Sequence, residues 1–297
     1  MQKIRKAIIP VAGFGTRLYP ATHGLKKDFF PIPDRDGLVK PVILILLEEL
    51  VNSGIEEICL VLGSEEERQK YWEYFEMPLA DEHLKKLSPQ LQEYAARILE
   101  IGKRLHYVYQ HEKRGFGHAV YQAVDFANGE PVLLLLGDTL YRSDIDKPCV
   151  RQFIEQYEVY KKLMVSIHAI PLNDVTHYGI LTGNWIDADE TVLDISQMAE
   201  KPSVSYAQQH LGVLCGNGER KYMSVFGQYI LTPEVFEQLR KDIKTLEGSP
   251  KEVELTSALD KVREKNGMVG VRLQGRMFDM GNYQAFVNCV AEFSQPC

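Results

Sequence analysis

The chain alternates short apolar runs rich in β-branched residues with longer amphipathic stretches. Residues 6–12 and 57–62 are apolar runs of strand length, and residues 41–53 between them have the length and composition of a buried helix. Residues 131–136 are apolar without alternation, which is typical of a central strand in a parallel sheet. The pattern predicts an α/β fold with a Rossmann-like, mixed and mostly parallel central sheet flanked by helices.

The remaining pattern predicts a helical insertion and a more mixed second half. Residues 64–103 are charged and lack β-branched runs, so they predict helices that cover the sheet. Further strands are predicted at 104–109, 164–170 and 269–273, and further helices at 117–126, 150–162, from 232 onward, at 254–265 and at the end of the chain to about 293. We predict a single domain over residues 1–297, with one functional half at about 1–140 that includes the insertion and another at about 141–297.

The composition argues against nucleic-acid polymers and membranes as partners. The 34 Lys and Arg residues are outnumbered by 41 Asp and Glu residues, the formal net charge is −7, and no run of like charges forms a basic arm. The longest apolar stretches, residues 42–47 and 132–136, are far shorter than the roughly 18 residues that cross a bilayer. The first residues lack the apolar segment of a secretory signal, and we interpret them as leading into the first strand.

Five cysteines stand at positions 59, 149, 215, 289 and 297, and no two of them form a Cys-x-x-Cys pair. An odd number without such spacing gives no support for a disulfide framework or a structural zinc site. The cysteine pattern indicates a reduced chain, and we predict a cytoplasmic location.

A glycine-rich turn directly follows the first apolar run, at the place where open α/β sheets bind ligands. Gly13 and Gly15 allow the backbone to approach an anion closely, and Thr16 and Arg17 add a hydroxyl and a cationic fork that suits phosphate. A dinucleotide fingerprint needs a third glycine where this chain has Leu18, and a P-loop needs a Gly-Lys-Ser/Thr that is missing. On these residues alone, a tight turn without a ligand stays open.

The spacing of this turn continues through further positions, namely Gly13, Gly15, Thr16, Arg17, Leu18, Pro20, Thr22, Lys27 and Pro31. It resembles the signature loop of the sugar-1-phosphate nucleotidylyltransferases, also called nucleotide-sugar pyrophosphorylases. Within that family, the blocks at 20–22, 115–120, 200–202, 252–256 and 279–282 are most similar to the bacterial UTP-glucose-1-phosphate uridylyltransferases. Ordered blocks over residues 13–282 make the resemblance more specific than any single block.

The resemblance implies an enzyme that couples UTP to glucose 1-phosphate and releases UDP-glucose and pyrophosphate. The sugar phosphate attacks the α-phosphorus in line, with assistance from Mg²⁺. A phosphate monoester has a second pKa of about 6, so the attacking oxygen is already mostly ionised at neutral pH. The reaction therefore needs charge neutralisation and alignment of two polyanions more than it needs an acid or a base.

The resemblance also implies roles for individual residues. It assigns the cations that face the phosphates to Arg17, Lys27 and Lys201. It assigns nucleotide binding to Ala12, Gly13, Gly15, Thr16, Gln110 and Gly115, sugar binding to Tyr178, Gly179 and Glu200, and the Mg²⁺ ligands to Asp138 and Asp279. The halves at 1–140 and 141–297 are thereby expected to bind nucleotide and sugar, and a homodimer or homotetramer is implied.

Several of these residues also have plainer interpretations. Asp138 ends a buried apolar run, where an ionised carboxylate is costly unless it is paired or bound to metal. Asp279 precedes a helix and alternatively caps it. The remaining alternatives are a surface lysine for Lys27, a surface ion pair for Glu200 and Lys201 and a strand-end glutamine for Gln110. His118 is expected to be a packing residue at a helix start.

Some features depart from the family pattern. Lys26 and Asp28 stand where the family usually has Pro and Glu, residues 34–39 lengthen the connection that follows, and Gly137-Asp138-Thr139 replaces the more usual Pro-Asp-Val. These departures leave dTTP or another sugar 1-phosphate open as substrates for the same loop. A weakly active homologue that binds a nucleotide sugar and regulates a partner is a further alternative.

Overall fold

A computed structural model describes residues 3–295 of the chain, and its strands and helices alternate through the first half as the apolar pattern predicts. The strands are β1 (Lys6–Pro10), β2 (Pro31–Pro33), β3 (Val39–Pro41), β4 (Glu57–Leu62), β5 (Leu105–Tyr109), β6 (Val132–Leu135), β7 (Thr139–Ser143), β8 (Leu163–Ile170), β9 (Gly179–Trp185), β10 (Val192–Glu200), β11 (Val213–Leu214), β12 (Arg220–Leu231), β13 (Met268–Arg272) and β14 (Gly275–Asp279). The helices are α1 (Ala21–Gly24), α2 (Val42–Asn52), α3 (Glu65–Phe75), α4 (Asp81–Leu84), α5 (Pro89–Gly102), α6 (Phe116–Tyr121), α7 (Val124–Ala127), α8 (Cys149–Tyr160), α9 (Val204–His210), α10 (Pro233–Thr245), α11 (Leu255–Asn266) and α12 (Tyr283–Glu292).

Ten of the described strands form one sheet, in the order β5-β4-β1-β6-β12-β8-β13-β10-β9, with β11 paired to β12. β5, β4, β1 and β6 are parallel to one another, and β13 is parallel to β8. β12 runs antiparallel to β6 and β8, and β10 runs antiparallel to β13 and β9. The predicted mixed sheet is confirmed, but it is not mostly parallel, because among the described strands parallel pairing is confined to β5, β4, β1 and β6 and to the pair of β13 with β8. In the second half, most neighbouring strands are antiparallel. Antiparallel strands can be joined by short turns, whereas parallel strands need a crossover connection such as a helix.

Two short ribbons lie beside the main sheet, and the apolar pattern predicts neither of them. β2 pairs with β3, and β7 pairs with β14 in antiparallel register. The strands of the second ribbon do not alternate apolar and polar residues, so only their long-range pairing makes them strands. This ribbon links the segment after β6 to the segment before α12, which matters for the site described below.

The core lies on both faces of the sheet. One apolar cluster joins Ile9 and Leu133 to α2, α8 and α12, and the other joins Ile8 and Leu134 to α6, α10 and α11. Because successive residues of a strand point to opposite faces, β1 and β6 are buried on both sides, as the unbroken apolar run at 131–136 predicts.

The predicted insertion at 64–103 is helical and consists of α3, α4 and α5. Ser88 caps α5 by accepting a hydrogen bond from the N–H of Leu91. Tyr71 and Phe75 of α3 are fully buried in the same cluster as α2. The insertion therefore contributes to the core on one face of the sheet.

The described residues contain no helix suited to cross a membrane, and their cysteines are unpaired. Within residues 3–295, every helix falls short of the length or the apolarity that a membrane crossing requires. Cys59, Cys149, Cys215 and Cys289 are free and buried, while Cys297 lies outside the described residues. Burial raises the pKa of the Cys59 and Cys289 thiols to about 12, so both are protonated at neutral pH.

His168 on β8 gives the fold a pH dependence. Its buried Nε2 atom has no hydrogen-bond partner among the described residues, and burial lowers the pKa of His168 from 6.5 to about 4. The unfolded chain therefore takes up this proton at a higher pH than the folded chain does, and this contribution to stability is lost as the pH falls from about 6.5 to about 4. We expect the loss to be on the order of 3 kcal/mol. Urea unfolding at several pH values should show a flatter acid limb for His168→Phe, and an unchanged limb would contradict the assignment.

Candidate active site

A cavity of about 970 Å³ opens at the carboxyl ends of β1, β5 and β6, where open α/β sheets bind ligands. Both predicted halves of the chain contribute to its wall. The predicted site residues on this wall are Ala12, Gly13, Arg17, Lys27, Gln110, Gly115, Asp138, Tyr178, Gly179, Glu200, Lys201 and Asp279. Gly15 and Thr16, also predicted to bind nucleotide, do not line the cavity.

The turn after β1 places Lys27 beside the backbone of Gly13. Gly15 has a φ of 64°, in the left-handed region that favours glycine, and a Cβ added there would lie 2.9 Å from Cγ2 of Thr22. A Cβ added at Gly13 would lie 3.7 Å from Nζ of Lys27. Gly15 and Thr16 therefore form the frame of the turn, while Gly13 and Lys27 face the cavity.

The β7–β14 ribbon brings Asp138 and Asp279 to the same wall. Asp138 directly precedes β7, and Asp279 ends β14, where it pairs in register with Thr139. The N–H of Met280 donates to the carbonyl of Asp138 at 2.8 Å, which extends the ribbon by one step. Gly137 permits the close corner between β6 and β7, because a Cβ there would lie 2.7 Å from a backbone oxygen of β1. This packing gives a physical reason for the glycine that departs from the family pattern.

Asp138 and Asp279 lie among opposing charges. Nζ of Lys27 lies 2.5 Å from Oδ2 of Asp138. Burial raises the pKa of Asp279, and so does the charge of Asp138, whereas the N–H of Gly281 and the charges of Arg17 and Lys27 lower it. The charge of Asp138 thus disfavours the ionised form of Asp279, and a bound cation would relieve that repulsion.

The two carboxylates fit Mg²⁺ in donor type. Mg²⁺ prefers oxygen ligands, keeps several waters and is commonly held by one or two carboxylates together with substrate phosphates. No group of three or more His, Cys, Asp or Glu ligands occurs within residues 3–295, so a metal here would take its other ligands from substrate and water. Asp279 is not the cap of α12, because Oδ1 of Asn282 accepts from the N–H of Ala285 at 3.0 Å and performs that role.

Gln110 follows β5, and two neighbours fix its side-chain amide. The residue is 4% exposed, and its backbone N–H donates to the carbonyl of Leu62 at 2.8 Å. Nε2 donates to the carbonyl of Gly115 at 3.0 Å and lies 3.2 Å from Nδ1 of His118. Burial and the charge of Arg114 lower the pKa of His118, which favours its neutral ring. The packing role expected for His118 is therefore incomplete, since this residue also orients Gln110.

Glu200 ends β10 and is held beside Gly179 by the pairing of β10 with β9. Its Oε1 lies 3.3 Å from Nζ of Lys201, and its Oε2 accepts from the hydroxyl of Thr256 at 2.8 Å. Lys201 has a φ of 44°, which residues other than glycine rarely adopt, and its N–H donates to the carbonyl of Tyr178 at 3.0 Å. Such backbone strain concentrates at functional sites. The pair formed by Glu200 and Lys201 is thus part of the cavity wall.

The cavity wall also contains residues for which neither the local pattern nor the family resemblance predicts a role. These residues are Lys113, Ser224, Tyr229, Glu254, Thr256 and Asn282. Glu254, Thr256 and Asn282 fall in blocks that carry the family resemblance, so a signal for them exists. Lys113 and Ser224 belong to no such block, and only the folded chain places them here.

Lys26 and Asp28, which differ from the residues usual in the family, lie outside the cavity wall. Nζ of Lys26 binds Oε2 of Glu67 at 2.6 Å. Asp28 is 1% exposed, accepts a hydrogen bond from the hydroxyl of Tyr71 and has its pKa raised by burial. The longer connection at 34–39 forms the whole turn between β2 and β3 and the first residue of β3, and it also lies outside the wall.

Comparisons with known proteins place the chain in a family. Residues 6–295 match the family model described as nucleotidyl transferase. A UTP–glucose-1-phosphate uridylyltransferase of Staphylococcus epidermidis is 31% identical over 298 residues, which cover 99% of this chain and 93% of the relative. A solved UDP-glucose pyrophosphorylase complexed with UDP-glucose has a TM-score of 0.78 and 26% identity, with 98% of both chains covered. A UTP-bound UGPase from Acinetobacter baumannii has a TM-score of 0.75 and 25% identity, with 98% of this chain and 93% of the other covered.

Proposed function

The chain belongs to the nucleotidyl transferase family, and we propose that it couples UTP to glucose 1-phosphate and forms UDP-glucose and pyrophosphate. The observation that carries this proposal is one cavity whose wall holds Lys27, Asp138 and Asp279 together with Gln110 and Glu200. Such a wall offers charge for two phosphates and polar groups for a base and a sugar. The relatives named for UTP, glucose 1-phosphate and UDP-glucose support the same substrates.

The proposed reaction exchanges one phosphorus–oxygen bond for another. An oxygen of the sugar phosphate bonds to the α-phosphorus of UTP, and the bond from that phosphorus to pyrophosphate breaks as pyrophosphate leaves with the electron pair. Arg17 and Lys27 offset the charge of the triphosphate, and Lys201 offsets that of the sugar phosphate, so that the two anions can approach. Asp138 and Asp279 would hold Mg²⁺, which when bound supplies further positive charge to the phosphate oxygens.

Base recognition in this proposal depends on the fixed amide of Gln110. Nε2 donates to the carbonyl of Gly115 and lies beside Nδ1 of His118, so this end of the amide faces the protein. Oε1 is then the part of the amide that accepts from the imide N–H of a pyrimidine. Thymine carries the same imide edge as uracil, so dTTP has to be compared directly with UTP.

Pyrophosphate release tests the proposal. UTP and dTTP should each be supplied with the 1-phosphates of glucose, galactose and N-acetylglucosamine, in Mg²⁺ and in EDTA. We expect the fastest release from UTP and glucose 1-phosphate, and only with Mg²⁺, while Asp138→Ala prepared in parallel controls for a contaminating host enzyme. Faster release from another pair would reassign the substrate. No release from any pair, together with binding of UDP-glucose in calorimetry, would favour the regulatory homologue.

Glu200→Gln is expected to raise the KM for glucose 1-phosphate about tenfold or more, because a carboxylate that accepts hydroxyl protons is replaced by a weaker acceptor. The KM for UTP should stay unchanged. Initial rates at varied concentrations of each substrate measure both values. Glu82→Gln, at an exposed position of α4, is the matched control. An equal rise of both KM values would indicate general distortion and contradict a sugar contact.

The proposal extends to organisation and location. We propose that residues 1–297 act as one domain, supported by the sheet that continues through the described residues of both halves. A cytoplasmic location is proposed as well, in keeping with the four free and buried cysteines among residues 3–295 and with the use of UTP. Assembly as a homodimer or homotetramer remains a prediction, which sedimentation equilibrium tests.

A further inference from the structure

Two lysine side chains bind the backbone of the turn that follows β1. Nζ of Lys26 donates to the carbonyl of Val11 at 3.1 Å, and Nζ of Lys113 donates to the carbonyl of Ala12 at 2.9 Å. Lys26 follows the turn in the chain, whereas Lys113 comes from the segment between β5 and α6. Hydrogen bonds from an ammonium group are stronger than neutral ones. Two consecutive peptide groups are thus fixed in orientation.

Glu67 of α3 binds Lys26 and lies near Lys113. Its Oε2 accepts from Nζ of Lys26 at 2.6 Å and from the N–H of Gly63 at 3.0 Å. A Cβ added at Gly63 would lie 2.7 Å from Oε1 of Glu67 and 2.8 Å from Nζ of Lys113, so both of these charged groups pack closely against this glycine. We call Lys26, Glu67 and Lys113 the turn clamp.

Each peptide group held by the turn clamp also carries an N–H on its other side. In a planar trans peptide, the C=O and the N–H point in opposite directions. The N–H of Ala12 therefore points away from Lys26, and the N–H of Gly13 points away from Lys113. Neither N–H has an acceptor within residues 3–295, and both residues line the cavity. Backbone donors in this position are suited to bind an oxygen of a ligand.

We propose that Lys113 is a positioning residue for the nucleotide: its bond to the Ala12 carbonyl holds the N–H of Gly13 toward an oxygen of the bound nucleotide. This inference rests on the proposed function, since it concerns the nucleotide of the same cavity. Nζ of Lys113 also lies 5.2 Å from the ring centroid of Phe14, whose side chain is 72% exposed, so the same cation holds the next residue of the turn. Lys113 acts through the turn and not on the reacting atoms.

One NMR resonance tests the contact itself. Ala12-Gly13 is the only Ala-Gly pair in the sequence. Protein with carbon-13 in its alanine carbonyls and nitrogen-15 in its glycines therefore gives a single carbonyl–amide cross peak. We expect Lys113→Met to move the Ala12 carbonyl resonance upfield, because a carbonyl that loses a hydrogen bond is less polarised. Lys103→Met, at an exposed lysine before β5, should leave it in place. An unmoved resonance in Lys113→Met would overturn the proposal.

Kinetics test the role of the contact. We expect Lys113→Met to raise the KM for UTP about tenfold, as for the loss of one charge-assisted hydrogen bond, with kcat and the KM for glucose 1-phosphate unchanged within about twofold. Lys113→Arg keeps a donor and should restore most of the affinity. A fall in kcat of similar size would place Lys113 on the reacting phosphates, and an unchanged KM would mean that the turn is oriented without it. Either result overturns the proposal.

The two proposals fail in different ways. Wild-type protein that forms no UDP-glucose would refute the proposed function, while the Ala12 carbonyl resonance would still report the contact of Lys113. In that case, the shift of the Gly13 amide resonance as UDP is added gives the affinity for UDP of the wild type and of Lys113→Met. Equal affinities would then count against the positioning role.

Discussion

Lys27→Ala is expected to lower kcat by about 10²- to 10³-fold, which is the effect of removing one preorganised donor to a developing charge. Nζ of Lys27 lies beside Gly13 on the cavity wall, 2.5 Å from Oδ2 of Asp138. It is therefore placed where the triphosphate and the metal-binding carboxylates of the proposed reaction meet. Charge that develops on the phosphates as pyrophosphate leaves is offset by this ammonium, so the loss should appear in kcat more than in KM.

Single-turnover measurements at saturating UTP and glucose 1-phosphate separate this chemical effect from slow product release. Lys103→Ala removes an exposed lysine that pairs with Glu100, and its kcat should equal that of wild type. Thermal unfolding of each variant shows whether the fold is retained. Near-normal turnover of Lys27→Ala would mean that Lys27 takes no part in the reaction and only pairs with Asp138.

The parallel half of the sheet is predictable from the sequence because its signals are local. β1, β4 and β6 are continuous apolar runs bounded by turns, and each is largely buried on both faces, so composition alone identifies them as strands. The β7–β14 ribbon carries no such signal. Its strands are five-residue segments that mix polar and apolar positions, and they pair only because the folded core brings distant parts of the chain together.

The same distinction applies to the site. The position of Asp138 after a buried strand points to a functional carboxylate, whereas Asp279 is predicted only through the family resemblance, because the ribbon that joins the two is a long-range contact. Lys113 reaches the turn from 101 positions away, and no local pattern marks it. Gly15 and Thr16 are the opposite case. Their spacing predicts contact with a ligand, but they stand outside the cavity wall.

Asp138→Asn is expected to lower kcat by about 10²-fold or more and to raise the Mg²⁺ concentration that gives half-maximal activity. The substitution keeps the size of the side chain but removes the charge that faces Lys27 and a bound cation. It also acts on Asp279, whose pKa is raised by burial and by the charge of Asp138. In the variant, that pKa falls toward its ordinary value, so Asp279 stays ionised to lower pH. The acid limit of Mg²⁺ binding set by Asp279 should therefore move to lower pH, although binding itself is weaker.

A Mg²⁺ titration of pyrophosphate release, repeated at several pH values, measures both effects for wild type and Asp138→Asn. Asp146→Asn, at an exposed aspartate between β7 and α8, is the matched control and should behave as wild type. The double variant Lys27→Ala/Asp138→Asn extends the test, because two groups that act on the same phosphates lose less together than the product of their separate losses. A wild-type Mg²⁺ midpoint in Asp138→Asn would mean that Asp138 does not hold the metal. Losses that simply multiply would mean that Lys27 and the metal site do not act on the same phosphates.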